Sequence, residues 1–168
     1  MGGIPIITKF AARQFSNEIR LEAADFVQQM YETSTLTLQM FVSCGGISVL
    51  AGFLDEDYES YRDLVLIGVN GIWRVFELQG PTPRNDFCRL FSKAKVLDPL
   101  AEILHRVLDV DDKDELSEFV EGRIVNLFHM FSQADLEVKE MIADRAVLKS
   151  MFSDRVPPAV TCRQILTF

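Results

Sequence analysis

Histidine, cysteine and clustered carboxylates are the residues through which this chain could bind a metal ion. His105 and His129 have no partner at the spacing that zinc sites use, and Cys88 stands alone. The acidic residues between Asp109 and Glu115 suggest a calcium loop, but its sixth position lacks the required glycine. We therefore predict a solvated acidic loop, with no metal and no cofactor.

Nucleophilic and phosphate-handling chemistry is equally unsupported by the sequence. Cys44 precedes two glycines and could be imagined as an activated thiol, but a small apolar residue at a helix end is favoured. No glycine-rich loop is followed by Lys and Ser/Thr, and the kinase His-Arg-Asp and Asp-Phe-Gly motifs are absent from the sequence. The chain by itself is predicted not to be an enzyme.

Protein binding is the function that the remaining polar and aromatic residues favour, since tryptophan and arginine dominate interface energies. Trp73 has Arg74 beside it and Asn70 one turn earlier, although a core position for Trp73 is equally open. Arg123, Asn126 and His129 share one face of a later helix. Arg84 and Arg89 follow the helix start at 82–83. The candidate partner-binding residues are Asn70, Trp73, Arg74, Arg84, Arg89, Arg123, Asn126 and His129.

Composition limits the classes of partner. The formal net charge is −8 and the basic residues are scattered, which disfavours nucleic acid, since phosphate binding needs clustered Lys and Arg. Three cysteines without a close pair argue against a disulfide framework and fit a reducing compartment. Residues 33–54 carry no charge, but Gly45-Gly46 is expected to divide them into two short helices rather than a membrane span.

The elements that must position these residues are helices. Apolar residues recur at three- and four-residue spacing, with turn residues between the runs. A short, a medium and a long helix recur in that order: short at 36–43, 84–91 and 136–143, long at 19–30, 62–78 and 116–132. The medium helices open at Ile4, Ile47, Leu97 and Leu148, with steps of 43, 50 and 51 residues. This length and order are typical of armadillo or HEAT units.

The predicted fold is therefore an all-α, armadillo/HEAT-like, right-handed superhelical repeat of about three units with three helices each. Long helices would line a concave face, along which Asn70, Arg74, Arg123, Asn126 and His129 would form one polar strip. We expect residues 1–168 to form a single domain. Its apolar ends, Ile4 to Phe10 and Ile165 to Phe168, lack the polar caps of terminal repeats, so a piece of a larger chain, or a domain completed by a partner, is expected.

Two runs resemble the armadillo region of a protein-kinase family that comprises the fungal septation-initiation kinase and the plant MAP kinase kinase kinase epsilon. They are residues 38–50 (LQMFVSCGGISVL) and 82–89 (TPRNDFCR), supported by YRDL at 61–64 and GIWRVF at 71–76. The similarity is expected over roughly Gly2 to Leu104. Gly45 departs from the plant pattern, which has arginine there, and so favours a fungal member.

This resemblance implies that the chain is a fragment of a longer Ser/Thr kinase whose catalytic domain lies upstream, and that it is cytoplasmic, at the spindle pole body. It further implies a protein partner: a GTP-bound Ras-like GTPase or a spindle-pole scaffold that localises or regulates the kinase. Self-association, or autoregulatory packing on the kinase domain, stays open as the alternative, and with it a homo-oligomer.

Overall fold

The chain is helical wherever its structure is regular. A computed structural model describes residues 6–78, 84–109 and 114–143, except the side chains at positions 8, 84, 85 and 141–143. Within these ranges no strand occurs. The all-α prediction is therefore confirmed.

The described helices follow the predicted order of short, medium and long segments. The chain runs through a 3₁₀ helix, Thr8–Ala11, and then α1 Asn17–Thr33, α2 Thr35–Ser43, α3 Gly46–Leu54, α4 Arg62–Glu77, α5 Arg84–Lys93, α6 Leu97–Leu108, α7 Glu115–Ser132 and α8 Leu136–Ala143. The long helices are α1, α4 and α7, and each begins and ends within three residues of the predicted bounds. The predicted features at Ile4, at 82–83, at Leu148 and at Ile165 to Phe168 lie outside the described residues.

Local hydrogen bonds explain where several helices begin. The Ser34 side chain accepts the Thr37 N–H at 3.1 Å and caps α2. Asp114 accepts the Ser117 N–H at 2.8 Å and caps α7, so this member of the acidic run has a structural role. Asp135 does the same for Val138 at 3.2 Å, at the start of α8.

The turn between α2 and α3 depends on glycine. Gly45 has φ +86°, a left-handed conformation that residues with a Cβ adopt only at a cost. The turn breaks the uncharged stretch into two helices that bend by 85°. Together these two helices meet the length and composition of a membrane span, while no single helix in the described ranges does. The predicted division at Gly45-Gly46 is confirmed.

The chain divides into two compact units, residues 1–80 and 81–168. In the first unit, α4 packs against α1 and α3, and α2 packs against both α1 and α3. In the second unit, α6 packs on α7 and α5 on α8. Each unit contains one short–medium–long triplet, α2–α4 or α5–α7. The single domain and the armadillo arrangement of these triplets stay predictions.

Each unit has its own apolar core. The largest fully buried side chains of the first unit are Tyr31, Phe41, Leu50, Phe53, Leu54, Leu64 and Ile72, and those of the second unit are Phe91, Leu97, Leu100, Leu104 and Phe131.

Two glycines of α4 allow the neighbouring helices to approach it closely. A Cβ on Gly68 would lie 3.2 Å from the Leu50 carbonyl oxygen, and one on Gly71 would lie 3.1 Å from the Tyr31 ring. Helix α4 is thereby held firmly against α1 and α3.

Tyr31 ties α1 to α4 through its hydroxyl, which donates a hydrogen bond to the Ile67 carbonyl at 3.2 Å. Burial raises the pKa of Tyr31 above its ordinary value, and the nearby Glu32 carboxylate raises it further. The unfolded chain releases this proton near pH 10, whereas the folded chain retains it. Tyr31 therefore contributes stability that is fully present below pH ~10 and is lost as the pH rises above that value.

We expect Tyr31→Phe to lower the free energy of unfolding by about 1 kcal/mol at pH 8, because the buried Ile67 carbonyl loses its donor. The difference between the two proteins should shrink as the pH rises from about 9 to 11, since only the wild type loses stability through Tyr31. Urea denaturation at a series of pH values measures both effects. A difference that stays constant through this range would show that Tyr31 ionises alike in both states.

Candidate protein-binding site

Three of the predicted partner-binding residues lie on α4 in the first unit. Asn70 and Trp73 are half-buried and Arg74 is exposed. The Trp73 indole N–H donates to Glu77 Oε1 at 2.7 Å, and Arg74 Nη1 donates to Glu77 Oε2 at 2.8 Å. We name Asn70, Trp73, Arg74 and Glu77 the α4 patch.

Glu77 was missed by sequence reasoning, although its spacing carried a signal. Positions three and four residues apart lie on the same side of a helix, and Glu77 follows Arg74 and Trp73 at those distances. One carboxylate therefore restrains the two side chains that are most suited to an interface. Trp73 is half-buried, so its position favours neither the core position nor the binding contact, and its contact with a partner stays a prediction.

Three further predicted residues lie on α7 in the second unit. Arg123 is half-buried, with its guanidinium 4.9 Å from the centroid of the Phe119 ring, while Asn126 and His129 are exposed. The His129 Nε2 atom lies 2.9 Å from Gln133 Nε2. Phe119 is an exposed aromatic residue that sequence reasoning missed. We name Phe119, Arg123, Asn126 and His129 the α7 patch.

The last two predicted residues lie on α5. Arg84 begins this helix, and its side chain lies outside the described residues. Arg89 donates to Asp86 at 2.8 Å, to Glu137 at 2.9 Å and to Asp135. Its pKa is raised by the hydrogen bond to Glu137 and by the charge of Asp135. Arg89 therefore joins α5 to the start of α8, and its contact with a partner stays a prediction.

The structure thus groups the predicted residues into two patches and one interhelical ion cluster. Asn70, Trp73 and Arg74 are together on α4, and Arg123, Asn126 and His129 are together on α7. Their alignment in one continuous polar strip stays a prediction, because the two patches belong to different units. Among the described residues, no three His, Cys, Asp or Glu side chains are grouped as a metal ion would require.

A second feature missed by sequence reasoning is a buried ion pair in the first unit. Arg20 on α1 donates to the carboxylate of Glu56, which follows α3, and their side chains are 5% and 7% exposed. Arg20 Nε also donates to the Ala11 carbonyl at 3.2 Å, and its guanidinium lies 5.4 Å from the Tyr61 ring centroid. Arg13, which is 62% exposed, donates to Glu56 at 3.1 Å and to Asp55 at 3.0 Å. This cluster fixes the 3₁₀ segment to α1.

The chain is similar over most of its length to named fungal and plant proteins. It is 64% identical over 161 residues to "Cytokinesis protein sepH" of Aspergillus terreus, a match that covers 95% of this chain and 12% of that protein. Identity is 40% over 148 residues with "Cell division control protein 7" of Schizosaccharomyces pombe, covering 88% of this chain and 14% of that protein. It is 44% over 125 residues with "MAP3K epsilon protein kinase 1" of Arabidopsis thaliana, covering 73% of this chain and 9% of that protein.

These matches confirm the resemblance to the fungal and plant proteins. The fungal match covers 161 residues and therefore continues beyond Leu104, the point after which the resemblance was expected to weaken. The chain spans about one eighth of the length of the fungal cytokinesis protein that it matches. No protein-family model matches it.

Proposed function

We propose that this chain is a non-catalytic protein-interaction region of a cell-division protein kinase. The names of the relatives support this proposal, since they include cytokinesis, cell division control and protein kinase. The short match to each relative also supports it, because a segment of about 12% leaves ample room for a separate catalytic domain. In this proposal the triplets α2–α4 and α5–α7 are armadillo-type units of one solenoid domain.

The proposed partner is a Ras-like GTPase in its GTP-bound form, or a spindle-pole scaffold, which would localise or regulate the kinase. Cytoplasmic placement at the spindle pole body belongs to the same proposal. The family resemblance suggests these partners, and the acidic net charge of −8 is compatible with a basic area on either.

The observation that carries the proposal is the restraint of Trp73 and Arg74 by Glu77. Both side chains have a partly exposed surface, and both are held through hydrogen bonds to one carboxylate. A side chain that is already ordered loses less conformational entropy when a partner binds. The α4 patch is therefore a pre-organised site made of residue types that contribute most to interfaces.

Binding to the septation Ras-like GTPase, loaded with a non-hydrolysable GTP analogue or with GDP, tests this function. We expect the chain to bind the GTP form, and we expect Trp73→Ala and Arg74→Ala each to weaken that binding about tenfold. Isothermal titration calorimetry gives the dissociation constants. Circular dichroism of each variant shows whether its helices remain folded.

Arg106→Ala is the matched control for Arg74→Ala. Arg106 lies on α6, is 43% exposed against 45% for Arg74, and pairs with Glu102 one turn away at 3.2 Å. Its replacement should leave the affinity unchanged. Equal binding to both nucleotide states, or equal losses in the Arg74 and Arg106 variants, would contradict the effector function at the α4 patch.

Self-association is the second candidate function, and exposed apolar residues favour it. Ile6, Phe10 and Ile19 all lie at the surface of the first unit. Contiguous exposed apolar surface commonly marks a protein contact, and Phe10 and Ile19 line the same cavity. Light scattering over a concentration series separates the two functions, because a mass that doubles with concentration would identify a second copy as the partner.

A further inference from the structure

An open groove separates the 3₁₀ segment from one face of α1. Its cavity has a volume of about 520 Å³, which lies within the range of small ligand and side-chain pockets. Ile7 and Phe10 line one wall, and Ile19, Ala23 and Phe26 line the other. Ile19 is 44% exposed although it is a large aliphatic residue. The groove therefore presents apolar surface to solvent on both sides.

The walls of this groove are held in place by contacts outside it. The Phe10 ring lies against Phe15, with 5.1 Å between ring centroids. Arg20 binds the Ala11 carbonyl at the end of the 3₁₀ helix, and Arg13 binds the acidic residues after α3. The groove is consequently formed before a ligand arrives, which lowers the entropic cost of binding.

The charge at the groove is of one sign. Glu22 and Asp25 belong to its lining, and both are exposed on α1. Among the described lining residues none is basic. An apolar surface with carboxylates beside it is complementary to a ligand that has an apolar face flanked by Lys or Arg.

We propose that this groove binds an amphipathic helix of a partner protein, whose apolar face enters the groove and whose flanking Lys or Arg side chains face Glu22 and Asp25. The spacing along α1 fits this ligand. Ile19, Ala23 and Phe26 occupy one face at positions i, i+4 and i+7, which spans about 10 Å or two helical turns. A helix laid along them would contact the groove through residues at the same spacing.

The groove shares no residue with the α4 patch, so this inference is independent of the proposed GTPase binding. A chain with Trp73→Ala should bind the helical ligand as well as the wild type does. Conversely, a failure of the groove experiment would leave the nucleotide-dependent experiment unaffected.

The test uses the whole chain and two fluorescein-labelled peptides of about 14 residues. Their leucines repeat at three- and four-residue spacing, and the flanking positions are lysine in one peptide and glutamate in the other. Fluorescence anisotropy should show that the lysine peptide binds the wild type more tightly. In Glu22→Lys/Asp25→Lys the lysine peptide should bind about tenfold more weakly, and the glutamate peptide should become the preferred ligand.

Ile19→Glu should abolish binding of the lysine peptide, because it places a charge in the apolar wall. Leu36→Glu is the matched control, since Leu36 is an exposed leucine on α2 outside the groove, and its replacement should change nothing. The inference is overturned if neither peptide binds the wild type, or if Glu22→Lys/Asp25→Lys changes the affinity for both peptides alike. It is overturned as well if Ile19→Glu and Leu36→Glu weaken binding of the lysine peptide equally. It is also overturned if light scattering shows a dimer that Ile19→Glu dissociates, since the occupant would then be a second copy.

Discussion

Replacing Arg20 with alanine is expected to lower the free energy of unfolding by about 3 kcal/mol. The substitution leaves the Glu56 carboxylate, which is 7% exposed, without its buried cation. Removal of one partner from a buried ion pair typically costs about 3–5 kcal/mol, because the remaining charge is poorly solvated. The lower end applies here, since Arg13 still contacts Glu56 at 3.1 Å. Urea or thermal denaturation followed by circular dichroism measures the change.

Arg13→Ala is the matched control within the same cluster. Arg13 contacts the same carboxylate, but its own side chain is 62% exposed, and its removal leaves Glu56 paired with the buried Arg20. Ion pairs made by exposed side chains contribute about 0–1 kcal/mol, so this variant should lose little stability. Equal losses in the two variants would show that burial does not distinguish these two arginines.

Replacing Arg20 with alanine should also affect the groove between the 3₁₀ segment and α1. Arg20 holds the Ala11 carbonyl at the end of the 3₁₀ helix, and that helix carries Phe10 of the groove wall. Loss of this contact leaves the wall less ordered, and ordering it again would cost free energy on binding. At temperatures where Arg20→Ala is still folded, we expect weaker binding of the lysine peptide.

The helices could be predicted from the sequence because their signals are local. The apolar residues of α4 recur at three- and four-residue spacing, and Gly45-Gly46 marks the break between α2 and α3. Such features need no knowledge of distant residues. The position of Trp73 and Arg74 on one helix followed for the same reason.

The missed features depend on contacts between distant parts of the chain. Arg20 and Glu56 are 36 residues apart, and Arg89 and Asp135 are 46 apart. Nothing in the periodicity of either segment indicates which carboxylate a given arginine will meet. The groove likewise requires Phe10 and Phe26, from two different helices, to line one cavity. These contacts follow from packing between distant segments, which the local pattern of a sequence does not specify.

The turn at Gly45-Gly46 leads to a second large effect, at the first residue of α3. Gly46 is buried, and an added Cβ would lie 2.5 Å from Cδ1 and Cζ of the Phe41 ring. Phe41 is fully buried at the end of α2, so its ring could make room only by moving within the core. We expect Gly46→Ala to lower the free energy of unfolding by about 2–3 kcal/mol, the usual cost of overpacking a dense core.

Gly52→Ala in the same helix should have the opposite sign. A Cβ at Gly52 would meet no atom within 4 Å, and the position is exposed. Alanine favours helix over glycine by up to about 1 kcal/mol, so this variant should be stabilised. Chemical denaturation of Gly46→Ala and Gly52→Ala measures how the same substitution changes the free energy of unfolding at two positions of α3. If both variants were stabilised, the Phe41 ring would have to move aside for the added methyl group. The close packing of Phe41 on Gly46 would then not be the reason for glycine at position 46.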